Sequence, residues 1–464
     1  MMWDVFGRAL NGLRGMLFPS GAARQDFGTE TAITRDMQTS IDLWYSMYVD
    51  RPPWANADIV PLGLPAAIVR ELARPAIVEF VGSVTGSARA DYLDACLKDA
   101  SGSFEHAIEL GLALGGVAMR PYIYRDRIKV DVSGITSYQP TAFDEVGRCV
   151  GAVFRERIRS GGKYYVRLEA HDFEDGTYVV RNKAHESNQQ GSAGRVVPLD
   201  TVPEWAKLEP EVRIDGVDRP LFAVFCNPTA NHVDPSSKMG VSVYAGAVAG
   251  LIRECDIQWE RLWWEYKSGE RKIFAERTAG NAREFSRNRL YEFGPFMSSS
   301  GDFFREFSPD YRDEALYRGL QATLKLIEFQ VGLAYGTLSD PQSVEKSATE
   351  ILASKQRQYI TESHIQRAFA TTIDDLVYAM DAYTSLYDLA PPGDYELDLS
   401  FGDGVLEDPE SRRQERATDM ADLVQGIMSA VEYRAKWYGE DEDTARERLA
   451  KIEELADEPQ DEVE

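Results

Sequence analysis

Two long helical patterns, 310–335 and 348–388, meet across a short run of small and polar residues, Gly336-Thr337-Leu338-Ser339-Asp340-Pro341-Gln342-Ser343. At 1.5 Å rise per residue, about 26 residues of helix span roughly 39 Å and about 41 span roughly 60 Å. Helices this long in a soluble chain pack as rods on neighbours more often than they enclose a compact active site. Apart from Leu338 the joint has no bulky side chain, so it reads as a segment presented outward. An ordinary helix–helix connection is the alternative on length alone.

A third helical pattern covers 241–268. Tyr244, Val248, Leu251, Cys255, Trp259, Leu262 and Tyr266 fall at steps of three and four, making one apolar stripe that Trp263 and Trp264 widen near its end. Between the first and second rods, Lys272–Ala275, Leu290–Phe293 and Phe303–Phe307 read as strands of a small β module over 269–308. Ser308-Pro309-Asp310 then supplies helix-start chemistry. The chain therefore goes out along one rod, builds a small module and returns along another. Ser347-Ala348-Thr349-Glu350 is a capping box for the long pattern that follows.

Upstream, residues 1–60 are amphipathic fragments broken by Pro52-Pro53 and Pro61, expected to form an arm laid on something else. Residues 66–120 read as helices, with Ser103 as a cap. From 121 to 226 the period switches to two, and Gly161-Gly162 between alternating runs predicts a hairpin. Residues 187–194 read as a loop. A last strand, Tyr395–Phe401, precedes two C-terminal helices. From 437 onward twelve acids face three bases, the pattern of a solvated and partly disordered tail.

Length and composition fit two to four globular domains. A formal charge of -25 argues against a protein that grips phosphates tightly, but an acidic wall lets DNA slide past without trapping it. Cys96, Cys149, Cys226 and Cys255 have no metal-type spacing and read as small core residues of a reducing compartment. Apolar stretches such as 111–119 fall far short of the roughly 18 residues of a membrane span, and Asp4, Arg8 and Arg14 are wrong for a secretory leader. A protein made in the cytosol, with no membrane partner, is the expectation.

Chemistry-bearing motifs are missing from the sequence. Gly161-Gly162-Lys163 lacks the other elements of a phosphate loop, no Ser sits in a GxSxG elbow, and the five histidines form no HExxH. His171 with Asp172 and Glu174 reads as a polar turn before a metal site. Asp403, Glu407 and Asp408 could meet a divalent ion, though their spacing is not that of an EF-hand loop. No catalytic residue, metal ligand or cofactor is assigned, which points to a structural or mechanical protein.

The order of parts resembles the portal protein, or head-to-tail connector, of long-tailed double-stranded DNA bacteriophages. The segments that carry the resemblance are GGVAMRPYIYRDRIKVDV (115–132), KYYVRLEAHDFEDGTYVVRN (163–182), RPLFAVFCNPTANHVDPSSKMGVSVYAGAVAGLIRECDIQWERLWWEYKSGERKIF (219–274), GLAYGTLSDPQSVEKSATEI (332–351) and DLSFGDGVLEDPESRRQE (398–415). Together they are spread from 115 to 415 in the family's order.

The resemblance implies an α+β ring protomer, usually one of twelve, with a wing at 1–238 and 347–405, stem helices at 239–268 and 309–335, a clip at 269–308, a tunnel loop at 336–346 and a crown with acidic tail at 406–464. The short joint departs from the family. It implies no enzyme activity, but a homo-oligomer at one capsid vertex of the virion. That ring nucleates assembly with the major capsid protein and scaffold, docks the terminase large subunit, passes double-stranded DNA during packaging and ejection, and later binds head-tail adaptors.

On this reading the channel constriction is Thr337, Leu338, Ser339, Asp340, Pro341, Gln342 and Ser343. A mixed-charge stem stripe, Glu314, Arg318, Gln321, Lys325 and Glu328, lines the wet wall. Arg283, Arg287 and Arg289 of the clip meet acidic partners, and Trp259, Trp263 and Trp264 pack the stem. Another oligomeric virion scaffold, a minor capsid or baseplate protein, is the alternative. A packaging ATPase or nuclease would need a Walker motif or an acidic metal cluster.

Overall fold

The computed structural model describes residues 22–189, 194–270, 272–276, 290–293, 304–341, 348–402, 409–438 and 440–457. After the short α1 (Ala22–Phe27), helix α2 (Arg35–Tyr48) starts at Thr34, whose hydroxyl accepts the Met37 amide at 3.3 Å. Helical spacing places Met37, Ile41, Trp44 and Met47 on one face of α2, and all four are fully buried. From residue 35 the chain is thus core and not an external arm. Residues 1–21 lie outside the described residues.

The expected helical region becomes α3 (Leu64–Ile77), α4 (Ala88–Ser101) and α5 (Phe104–Leu114), with strand β1 (Val81–Thr85) inserted between the first two. Strand β1 pairs antiparallel with the far C-terminal strand, Val81 opposite Ser400, a partner more than 300 residues away that no local pattern announces. Ser103 does not cap α5 through its side chain; its hydroxyl donates back to the Ala100 carbonyl at 2.7 Å.

β2 (Gly116–Tyr124) and β3 (Arg127–Gly134) form a hairpin. β4 (Tyr138–Phe143), β5 (Cys149–Ser160), β6 (Lys163–Glu174), β7 (Thr177–Ser187) and β8 (Arg195–Val197) follow as an antiparallel meander, and β9 (Glu211–Ile214) adds to β7. Ser160 pairs with Lys163, so Gly161-Gly162 is the two-residue hairpin turn that the sequence predicts. β10 (Ala223–Cys226) completes a three-stranded sheet in the order β10-β2-β3. The backbones of Gly115 and Gly240 cross so closely that a Cβ at either would lie within 2.4 Å of the other's carbonyl oxygen.

That crossing also moves the start of the third rod. The backbone of 241–243 is tied to α5 and to Asn227: Val243 N donates to Leu112 O at 3.0 Å and Asn227 Nδ2 to Val241 O at 2.7 Å. These bonds preclude helical pairing there. Helix α6 (Ala247–Ser268) therefore begins six residues later than the periodicity suggests, and Val241 and Tyr244 are buried in the turn before it.

Beyond α6, β11 (Lys272–Glu276), β12 (Leu290–Phe293) and β13 (Phe304–Phe307) form a sheet in the order β12-β11-β13, with β11 and β12 parallel. Helix α7 (Asp313–Val331) returns, and α8 (Ala348–Leu386) leads to β14 (Glu396–Ser400). α7 starts later than Ser308-Pro309-Asp310 proposed because Glu265 of α6 pins Arg312 outside the helix. Glu265 accepts the Arg312 backbone N–H and Nε at 3.1 Å each and Nη2 at 2.7 Å.

From 365 to 380 α8 buries one face. Ile365, Phe369, Ile373, Leu376, Val377 and Met380 are fully buried, with Phe369 edge-on to Phe104 at 5.2 Å and to Phe225 at 5.6 Å.

The chain divides into two compact units, Met1–Gly404 and Val405–Glu464. The second holds α9 (Pro409–Val424), α10 (Ala430–Tyr438) and α11 (Glu442–Asp457). Asp419 accepts Trp437 Nε1 at 2.9 Å and Lys436 Nζ at 2.7 Å, while Glu440 joins Arg434 and Arg448. The acidic stretch after 437 is therefore helical from 442 to 457, because its three bases and neighbouring arginines offset part of its charge. Together the helices and antiparallel sheets make this an α+β multidomain fold.

Candidate functional site

The α6–α7 hairpin and the joint that follows it hold most of the residues singled out from the sequence. Leu262 of α6 and Leu320, Leu324 and Ile327 of α7 are buried, and Gln258 Nε2 donates to Thr323 Oγ1 at 3.2 Å. Trp259 is half-buried and packs against the core, edge-on to Trp263 at 6.0 Å. Trp263 and Trp264 do not pack inside the hairpin. They are 50% and 63% exposed, in company with Tyr266, Tyr311, Tyr317, Leu326 and Phe329.

The stem stripe splits. Glu314 and Arg318 are exposed and Lys325 is half-buried, but Gln321 and Glu328 are buried. Those two cannot belong to a wet wall, because both turn toward the joint. Glu328, 0% exposed, receives four donors: Oε1 accepts the amides of Gly336 at 3.1 Å, Leu338 at 2.7 Å and Ser339 at 2.8 Å, and Oε2 accepts the Ser339 hydroxyl at 2.9 Å. Gln321 Oε1 accepts the Asp340 amide at 2.6 Å.

So the joint is not a bare, outward segment. It is a concave run of backbone N–H groups wrapped on a carboxylate of the preceding helix. Ser339 is 4% exposed, and Leu338 packs on the core cluster. Thr337 donates its hydroxyl to Ala334 O at 2.7 Å, and Tyr317 OH reaches Asp340 Oδ2 at 3.5 Å. Gly332, at φ 83°, stops α7 in the left-handed conformation and lies so near α8 that a Cβ would meet Thr361 Oγ1 at 2.2 Å. Pro341 is exposed, while Gln342 and Ser343 lie outside the described residues, as do Arg283, Arg287 and Arg289.

A second polar constellation lies on β6 and its neighbours. His171 is not in a turn with Asp172 and Glu174 but in mid-strand β6, fully buried. Alternation sends Asp172 and Glu174 to the other face, where Glu174 pairs with Arg181 and Arg213. Arg167, Glu169 and His171 share the inner face, a juxtaposition that a strict period-two reading of β6 contains.

Arg120 of β2 meets Glu169 Oε1 at 2.6 Å, and Arg167 meets Glu169 Oε2 at 2.5 Å and Glu156 at 2.8 Å. Burial alone would raise the Glu169 carboxyl, but Arg120, Arg167 and His171 hold it well below the usual carboxylate range. Burial lowers His171 against the pull of Glu169. A neutral imidazole beside a carboxylate must donate from Nε2, at 2.7 Å. Nδ1 then accepts Tyr178 OH at 2.8 Å, and that oxygen accepts the Leu221 amide at 2.9 Å.

Among the described residues, no group of three or more His, Cys, Asp or Glu side chains could hold a metal ion, and no helix is long and apolar enough to cross a membrane. Asp403, Glu407 and Asp408 lie outside the described residues. No protein-family model matches the chain, and no curated protein matches it in sequence.

Proposed function

We propose that this chain is the subunit of a phage portal, a closed ring at one capsid vertex that conducts double-stranded DNA and carries no catalytic centre. The resemblance over 115–132, 163–182, 219–274, 332–351 and 398–415 motivates it. The observation that supports it most is the exposed aromatic surface of the α6–α7 hairpin. Trp263, Trp264, Tyr317, Leu326 and Phe329 are solvent-exposed in the single chain, on two helices that carry a small sheet at their far end, as is Tyr311 just before the second helix.

So many large exposed apolar side chains on two helices mark interaction surfaces. In a ring each copy has two neighbours, and such faces are buried by heterologous contacts that close on themselves. On this reading the clip meets the terminase large subunit and then the adaptors, while the wing and crown meet capsid protein and scaffold. Exposed Glu314 and Arg318 remain available to a channel wall.

The purified protein is expected as a ring with a central hole in negative-stain images, usually twelve copies in the resembled family, with nucleotide and nucleic-acid turnover at blank level. A monomer at micromolar concentration would sink the proposal. Replacing Trp263 and Trp264 together with serine should shift native mass spectra from ring to free subunits while leaving the subunit's own melting nearly unchanged, since both side chains are already exposed. A comparable loss of subunit stability would instead make them structural.

A further inference from the structure

Arg357 of α8 lies between two aromatic rings, its guanidinium 4.7 Å from the Phe329 centroid and 5.4 Å from that of Tyr335. Stacking fixes the plane of the group and leaves its donors pointing sideways. Its Nη1 is buried and meets no acceptor, and no carboxylate among the described residues pairs with it. Nη1 itself is enclosed by the subunit, so an acceptor from another molecule meets the open edge of this half-buried cation, where a carboxylate supplies the charge partner it lacks.

Phe329 stacked on it, and Leu326 and Ile360 about one turn away on the same two helices, are about half exposed, so the acceptor must arrive on a surface that also covers apolar side chains. Duplex DNA presents a hydrated phosphate backbone and no such cover, whereas a protein face presents both. A second copy of this chain, with 76 acids against 51 bases, is a carboxylate-rich partner.

We propose that Arg357 is the charged anchor of the contact between adjacent copies and takes the Glu254 carboxylate of the next copy; this rests on the ring reading above. A closed ring relates its copies by rotation with no rise, so groups that meet across it lie at one height where the helices run along the axis. In the hairpin Glu265 lies level with Arg312 and Gln258 with Thr323. One turn further along, Glu254 lies level with residues 326–329, the height of Phe329 and the guanidinium stacked on it. Glu254 is exposed, and it has no hydrogen bond or ion pair among the described residues.

The test is a dilution series followed by mass photometry on the full chain, for wild type, R357E, E254R and the double reversal. Each single reversal is expected to raise the concentration of half-dissociation by about tenfold or more, and the double to recover most of that loss. E254R changes an exposed position, and R357Q keeps a planar stacking group, so the cycle stands even where R357E folds poorly.

Single reversals that leave dissociation unchanged overturn the proposal. A double reversal no better than the sum of the singles removes Glu254 as the partner. Intact R357Q rings with altered DNA retention would assign Arg357 to phosphate instead. A wild type that is monomeric before any substitution fails the ring reading itself, a result distinct from all of these.

Discussion

Replacing Glu328 with alanine is expected to lower the unfolding free energy of the larger unit by about 3 kcal/mol and to free the 336–340 segment. The carboxylate is fully buried, and four donors converge on it from a stretch of only four residues. Bonds to a charged acceptor are worth about 1.5–3 kcal/mol each, but the donors regain water once the loop loosens, so the costs do not add. Glu328→Gln keeps one carbonyl oxygen for the three amides and loses the charge; about half the effect is expected. The check is a denaturant midpoint together with amide exchange at Gly336, Leu338 and Ser339. Protection that survives in the alanine variant would show that Gln321 and the close approach of Gly332 to Thr361 hold the loop unaided. Glu314→Ala, on the exposed side of the same helix, should stay within about 0.5 kcal/mol of wild type.

A similar or larger loss, about 3–5 kcal/mol, is expected for Glu169→Ala. The substitution strands two arginines, Arg120 and Arg167, both under 10% exposed, and leaves His171 without the acceptor for its Nε2 proton. Arg167 keeps Glu156 and Asn182, so the harm concentrates on Arg120, whose remaining partner Asp131 is 3.7 Å away.

The same network sets an acid limit. Glu169 has a depressed value in the fold, so its contribution is complete above the ordinary 4.5 and is lost as pH falls through the depressed value. His171 is also depressed. Below 6.5 the unfolded chain binds a proton that the folded chain refuses, and stability falls as pH drops from there. Unfolding free energy measured from pH 7.5 to 5 should therefore decline less steeply in His171→Gln than in wild type. Identical slopes would mean that folding leaves proton binding at the imidazole unchanged, and a steeper decline in His171→Gln would mean that the fold holds it protonated.

Local periodicity carried much of the architecture. The rods, the small sheet between them, the Gly161-Gly162 hairpin and the last strand all follow from spacing that neighbouring residues impose on one another, and they appear within a few residues of where the sequence places them. Where rods begin was not local: Glu265 delays α7 and Asn227 with Leu112 delays α6, through contacts with residues far along the chain. The strand Val81–Thr85 was hidden for the same reason, since its partner is the final strand.

The candidate site was legible as a place but not in its polarity. Residues 314, 318, 321, 325 and 328 do form a polar run at helical steps, yet a helix has two sides available to polar groups. Only the folded joint decides that Gln321 and Glu328 turn inward to meet backbone amides while Glu314 and Arg318 stay outside. Trp263 and Trp264 belong to the same apolar stripe in sequence, but only the fold decides that they lie outside the hairpin, whose interior is filled by Leu262, Leu320, Leu324 and Ile327. A sequence determines which side chains can share a face. Which face is covered, and by what, is set by segments that arrive from elsewhere in the chain, because burial is a property of both surfaces in a contact and not of either one.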